Sequence, residues 1–170
     1  MTLEDAVAAE RREDLKLAAD IYENRLAEGN GSLDVILNLA LLYWQVLDPG
    51  LQAAARWGPD FFDRADRRYL ELLAEAERQY PNSTEARFWR RYIRGISLGE
   101  PFDMEECREL LREDPTVLVP AMYLFSGGAG QEAVTEALAL LERCKAEGTM
   151  RADYVASVIE GVLTRMGRRR

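Results

Sequence analysis

The residues best suited to chemistry in this chain are four arginines that recur with helical spacing. They are Arg87, Arg90, Arg91 and Arg94. A helix turns by about 100° per residue, so this spacing places all four guanidinium groups on one face, opposite the apolar side chains of the segment. Guanidinium groups hold carboxylates and phosphates through paired hydrogen bonds. We name this set the arginine stripe, and predict that it docks an acidic peptide, a terminal carboxylate or a phosphate of a partner protein.

A second interpretation of the arginine stripe stays open. Four like charges on one helix face repel each other, at a cost of roughly a few tenths of a kcal/mol per neighbouring pair. Carboxylates on the flanking helices would offset this repulsion inside the fold. The sequence offers four such carboxylates, which are Glu71, Glu75, Glu105 and Glu106.

Trp57 is the aromatic residue best placed to anchor a partner, because it lies in a predicted loop ahead of Pro59. The other two tryptophans, Trp44 and Trp89, fall on apolar faces of predicted helices. Tryptophan is enriched among the residues that dominate binding energy at protein interfaces. We therefore group Trp57 with the arginine stripe as candidate partner-binding residues.

A second charged segment, residues 103–114, is mainly acidic. Its acids are Asp103, Glu105, Glu106, Glu109, Glu113 and Asp114. Arg108 and Arg112 lie three or four residues from several of them, so one interpretation is a solvated helix face with its own ion pairs. The other is that this face is half of an interface for a basic partner.

The chain contains no histidine. This excludes Ser-His-Asp triads, Cys-His pairs and His-containing zinc sites, so an enzyme would have to work with Asp, Glu, Tyr, Lys or Arg. Three aspartates, Asp60, Asp63 and Asp66, stand at a predicted helix start, where they complement the helix dipole. A hard cation needs six or more oxygens from a shaped loop, so we expect no metal and no cofactor.

Composition narrows the class of partner. The net charge of −8 argues against general nucleic-acid binding.

No apolar run reaches the roughly 18 residues of a membrane span and no signal peptide is visible, so we expect a cytoplasmic protein. Cys107 and Cys144 lie in separate helical patterns and are expected to be reduced. Arginine outnumbers lysine twenty to two, which is typical of a GC-rich bacterial genome.

Hydrophobic periodicity predicts an all-α chain with one domain over residues 1–166 and a frayed basic tail over 167–170. We expect seven or eight antiparallel helices. Their ranges are 3–28, 33–47, 61–79, 84–97, 104–112, 116–125, 131–147 and 151–165. Residues 51–59 are predicted as a loop with one short helical turn. Ser32 and Ser83 are predicted N-caps. The apolar run 117–125 would also suit a buried strand, but no second strand candidate is present to pair with it.

Residues of the first two predicted helices, together with one residue of the loop between them, share a register. Its members are Ala18, Tyr22, Asn30, Ile36, Leu39, Ala40 and Tyr43. Over roughly residues 15–86 the chain resembles the tetratricopeptide-repeat family, and residues 76–86 and 114–115 are similar to the junctions between its repeats. The resemblance implies a short right-handed array of helix pairs, whose concave surface holds an extended peptide or a helix of a partner.

We therefore predict a protein-binding module, an adaptor, chaperone or scaffold whose partner is another protein. One alternative is a bacterial immunity or antitoxin protein, because an acidic chain associates rapidly with a basic toxin. A carboxylate-based enzyme is the third hypothesis, and it predicts a deep pocket with perturbed acids. A homodimer formed through an uncapped helix face is a further hypothesis.

Overall fold

A computed structural model describes residues 1–54 and 57–168. Within these residues the chain forms ten α-helices and no β-strand, which confirms the all-α class. The helices are α1 Leu3–Arg11, α2 Leu15–Ala27, α3 Leu33–Val46, α4 Pro49–Ala54, α5 Pro59–Gln79, α6 Thr84–Leu98, α7 Met104–Glu113, α8 Val119–Gly127, α9 Val134–Glu147 and α10 Met150–Gly167. No helix in the described ranges has both the length and the apolar character that a membrane span needs.

Short polar side chains set the helix starts. The hydroxyl of Ser32 accepts from the Val35 backbone N–H over 3.4 Å, and that of Ser83 accepts from Ala86 over 3.1 Å. Both predicted N-caps are therefore confirmed. Asp103 caps α7 in the same way, since its carboxylate accepts from the Glu106 backbone N–H over 2.8 Å.

The prediction of one helix over residues 3–28 is wrong. The helix stops at Arg11, and Glu13 adopts a left-handed backbone with φ of 60°. Asp14 then caps α2 by accepting from the Leu17 backbone N–H over 3.3 Å. The apolar spacing hides this break, because a short connection with one left-handed residue separates the two helices and the apolar pattern continues in α2. With the break and the short α4, the described helices outnumber the predicted ones.

Three further boundaries depart from prediction. The first is the start of α9, which lies at Val134 and not at residue 131. The helix predicted to begin at residue 116 begins at Val119, because the Asp114 carboxylate accepts from both the backbone N–H and the hydroxyl of Thr116 and holds a turn there. The predicted tail falls partly within α10, which ends at Gly167. Arg168 forms a turn, while Arg169 and Arg170 lie outside the described residues.

The Cα positions group into two compact units. Unit 1 comprises residues 1–81 and 148–151, and unit 2 comprises residues 82–147 and 152–170. In unit 1, α3 is the central helix and packs against α2 and α5. Its residues from Val35 to Tyr43 are all buried, which explains why this stretch is the most apolar of the chain.

A buried polar cluster ties the start of α10 to the first helix of unit 1. The Glu10 carboxylate accepts from the Tyr22 hydroxyl and from the Met150 backbone N–H, each over 2.5 Å. Arg151 Nη2 donates to Asp34 over 2.8 Å. Burial and the Glu10 carboxylate raise the pKa of Tyr22, so its hydroxyl stays protonated and serves as a donor.

In unit 2, α7 packs on α8 and α8 packs on α9, beside a cluster of aromatic rings. The rings belong to Phe88, Trp89, Tyr92, Phe102, Tyr123 and Tyr154. Cys107 and Cys144 are buried thiols that form no disulfide within the described residues, as predicted. The apolar spacing of α6 places Ile96 with its core residues, but its side chain is 54% exposed, because α6 outruns the elements that cover it.

Candidate functional site

The arginine stripe lies along α6, where Arg87, Arg91 and Arg94 contact carboxylates of unit 2. Arg91 holds Glu106 through two hydrogen bonds, Nε to Oε1 over 2.6 Å and Nη2 to Oε2 over 3.0 Å. Arg94 holds Glu100 through a second pair of hydrogen bonds. Each pairing raises the pKa of its guanidinium, and the Arg94 contact lowers the pKa of the Glu100 carboxyl.

The third pair joins Arg87 Nη2 to Glu113 Oε1 over 2.5 Å. Of the four carboxylates predicted as flanking partners, Glu106 is the one that contacts the stripe within the part of the chain that the structure describes. Glu71 pairs with Arg68 over 3.1 Å, within α5. Arg90 is half-buried on the same face of α6. Carboxylates of the fold thus pair with Arg87, Arg91 and Arg94, and they form a set that differs from the predicted one. The role of the stripe in partner binding stays a prediction.

Trp57 belongs to the aromatic packing at the start of α5. Its ring centroid lies 5.7 Å from that of Phe61 and 5.9 Å from that of Phe62. Phe61 in turn meets the edge of the Tyr43 ring at 6.0 Å. Trp57 is half-buried, so it presents only part of its surface to solvent. As an anchor for a partner it also stays a prediction.

A groove in unit 2 carries both apolar and charged groups. It has a volume of about 720 Å³ and lies between α7, α8 and the segment that leads into α9. Its lining residues are Glu105, Arg108, Leu111, Arg112, Pro115, Leu124, Glu132, Ala133 and Glu136. The volume falls inside the roughly 300–1,000 Å³ of typical binding pockets.

Helical periodicity explains how α7 builds one wall of this groove. Cys107 and Leu110 point into the core of unit 2, so Arg108, Leu111 and Arg112 lie on the flank beside them. The Cys107 thiol donates to the Pro120 carbonyl over 3.1 Å and attaches α7 to α8. Burial raises the pKa of Cys107 to about 12, which keeps the thiol protonated as this contact requires.

The charged rim is a connected chain of ion pairs. Arg108 donates Nε to Glu132 Oε1 over 2.5 Å and Nη2 to Glu132 Oε2 over 3.1 Å. Its Nη1 donates to Glu105 over 2.8 Å, and Glu105 also accepts from Arg112 over 2.8 Å. The hydrogen bond from Arg108 holds the pKa of Glu132 below its ordinary value. Both arginines are therefore occupied by rim carboxylates.

The rim carries more acid than base. Glu105, Glu132 and Glu136 face only two arginines, so the lining has one excess negative charge. Glu136 is half-buried, and within the described ranges no hydrogen bond or ion pair reaches its carboxylate. The groove therefore combines an apolar floor with an uncompensated acid at its edge.

Sequence reasoning found part of this groove. The acidic segment 103–114 supplies its α7 wall, and an interface for a basic partner was one of its two interpretations. The sequence analysis missed Glu132, Ala133 and Glu136. They follow a glycine-rich turn, and only the path of that turn brings them beside α7. A Cβ on Gly128 would lie 2.9 Å from the Glu132 Cβ, so the bare glycine allows Glu132 to approach the end of α8. The glycines at positions 127, 128 and 130 were the signal in the sequence that could have indicated this close approach.

Across residues 1–54 and 57–168, no three or more His, Cys, Asp or Glu side chains are grouped so that they could hold a metal ion. Known proteins offer no assignment either, since no family model, curated protein or solved structure matches the chain.

Proposed function

We propose that this chain is a protein-interaction module and that the groove between α7, α8 and the start of α9 is its binding site. The observation that carries the proposal is an apolar floor enclosed by a charged rim. Leu124 forms the floor and is 2% exposed, whereas Arg112 on the rim has a side chain that is 66% exposed. An apolar centre with a polar rim is the usual anatomy of a protein interface.

We also propose that the helices of unit 1 are arranged like tetratricopeptide repeats. Two observations support this part of the proposal. The small and aromatic positions of the resemblance, Ala18, Tyr22, Ala40 and Tyr43, are all fully buried. In addition, α2 packs on α3 and α3 packs on α5, so neighbouring helices share one core.

An immunity or antitoxin protein is the second candidate, and it is a special case of the same proposal. The net charge of −8 and the acidic groove rim favour a basic partner. A carboxylate enzyme has less support. A general acid works best with a pKa near the operating pH, but Arg108 lowers the pKa of Glu132 away from that range.

Site-specific photo-crosslinking in the native host tests the proposed function. A photoreactive residue at position 112 would sit on the groove rim, and the same residue at position 16 would sit on an exposed part of α2. We expect position 112 to yield a discrete crosslinked partner and position 16 to yield none. Identical products from both positions, or none from either, would overturn the proposal.

A pair of matched variants ties the crosslink to the groove. Leu111 is half-buried in the groove wall, whereas Leu138 is 41% exposed on α9 and does not line the groove. Leu111→Glu is expected to remove the crosslink from position 112, while Leu138→Glu leaves it in place. Circular dichroism on both variants confirms that each one folds.

A further inference from the structure

The partner's chemistry follows from what the groove leaves unsatisfied. The two rim arginines already hold carboxylates of the same unit, so an incoming acid would compete with Glu105 and Glu132 for them. An incoming cation meets no such competitor at Glu136, whose carboxylate has no ion-pair partner among the described residues. The local charge balance therefore favours a cationic group.

The floor adds a second requirement. Leu111, Pro115 and Ala133 present apolar surface beside the buried Leu124, and burying such surface yields roughly 25 cal/mol per Å². A purely basic segment would leave this surface in water. A partner that satisfies both parts of the groove carries apolar side chains and cations on the same face.

Long-range electrostatics act in the same direction. The whole chain carries a net charge of −8, so a cationic segment is drawn toward it before any contact forms. Anionic phosphates, whether of a nucleic acid or of a membrane surface, would be repelled by the same field. A protein segment is therefore the class of partner that fits the sign of the field and the apolar floor together.

Resting on the proposed function of the groove, we propose that its occupant is an amphipathic protein segment that inserts leucine-like side chains over Leu111 and Leu124 and pairs a lysine or arginine with Glu136. The Arg108–Glu132 pair stays closed in this complex and forms one wall. Specificity comes from the rim, because a segment with acids in place of the cations would face an uncompensated carboxylate.

Three labelled peptides test the chemistry of the occupant by fluorescence anisotropy. The first alternates leucine and lysine with helical spacing, the second replaces each lysine with glutamate, and the third replaces each leucine with serine. Measurements near physiological salt, where the Debye length is about 8 Å, suppress non-specific attraction. We expect only the leucine–lysine peptide to bind. Equal binding of the serine–lysine peptide, stronger binding of the glutamate peptide, or no binding at all would overturn the inference.

Variants of the chain locate the binding. Glu136→Lys is expected to weaken the leucine–lysine peptide about tenfold, since it replaces an attraction with a repulsion. Glu109→Lys makes the same charge change on an exposed part of α7 outside the groove and is the matched control. Equal weakening by both variants would show that net charge alone drives binding and would overturn the inference.

The crosslinking experiment tests whether the groove binds a protein, and the peptide experiment tests the chemistry of the occupant. Either proposal can therefore be rejected without the other. A crosslink at position 112 without peptide binding would retain the groove as a protein-binding site and reject the basic occupant. The absence of both would reject both proposals. A dimer in sedimentation that Leu111→Glu abolishes and Leu138→Glu preserves would identify a second copy of the chain as the occupant, and the inference would then be wrong.

Discussion

Arg108 holds Glu132 with two hydrogen bonds, of 2.5 Å and 3.1 Å, and so fastens α7 to the segment that leads into α9. The guanidinium lowers the pKa of this carboxyl. The unfolded chain therefore binds the proton at a higher pH than the folded chain, and the stability that the Arg108–Glu132 pair contributes is lost as pH falls through the folded pKa.

We expect Arg108→Gln to raise the Glu132 pKa in an NMR titration, whereas Arg143→Gln, on the exposed face of α9, leaves it unchanged. A Glu132 pKa that is the same in both variants would contradict the geometry.

Gly128→Ala is expected to destabilise the groove and to loosen Glu132. The new Cβ would lie 2.9 Å from both the Glu132 Cβ and the Leu124 carbonyl oxygen, and neither atom is the end of a flexible side chain. We expect a loss of about 1–3 kcal/mol in urea unfolding, as for other overpacked sites. Gly161→Ala is the control: its Cβ would have ordinary contacts inside α10, so it should stabilise by roughly 0.5–1 kcal/mol. Equal effects would refute the crowding at Gly128.

Glu10→Ala is expected to destabilise unit 1. It leaves two donors, the buried Tyr22 hydroxyl and the half-buried Met150 backbone N–H, without this acceptor. Unsatisfied donors cost roughly 1–3 kcal/mol each, so we expect a loss of about 3 kcal/mol. Glu4→Ala, at an exposed position of the same helix, should change stability by less than about 0.5 kcal/mol. Similar urea midpoints for the two variants would show that the buried cluster contributes little.

Alkaline pH should weaken the fold through its buried tyrosines. Burial raises the pKa of Tyr22, Tyr43 and Tyr92. Above pH 10, where free tyrosine releases its proton, the folded chain keeps protons that the unfolded chain loses, so the free energy of unfolding decreases. We expect urea midpoints to fall as pH rises above about 10. Tyr92→Phe should make this decline shallower, and a decline as steep as in the wild type would contradict the assignment.

A double-mutant cycle on Arg91 and Glu106 tests the internal neutralisation of the arginine stripe. Both side chains are partly exposed, so solvent screens their attraction. A coupling of about 0.5–1 kcal/mol is expected in unfolding experiments, because the contact is bidentate. The exposed pair Lys145 and Glu142 makes a single contact of 3.1 Å and should couple more weakly. A coupling energy of zero would show that Glu106 does not neutralise Arg91, and the Arg91 guanidinium would then be available to a partner.

Local sequence signals predicted most helix boundaries but missed those that depend on distant residues. Ser32 and Ser83 cap helices whose first turns lie next to them in the chain, so their role was readable. The break at Glu13 was not, because its left-handed backbone leaves the apolar spacing of the following helix intact. Ile96 fits the core spacing of α6 yet is exposed, since burial depends on which element covers a face.

The sequence by itself determined that this chain is all-α, that it contains no histidine and that the four arginines of the stripe share one helix face. These properties depend on composition and on neighbours within a turn or two. Only the tertiary structure decided which acid meets each arginine and where an apolar floor opens. Arg91 and Glu106 are 15 residues apart in the chain, and Arg108 and Glu132 are 24 apart. Pairing at such separations depends on how the helices pack, and no local pattern encodes it.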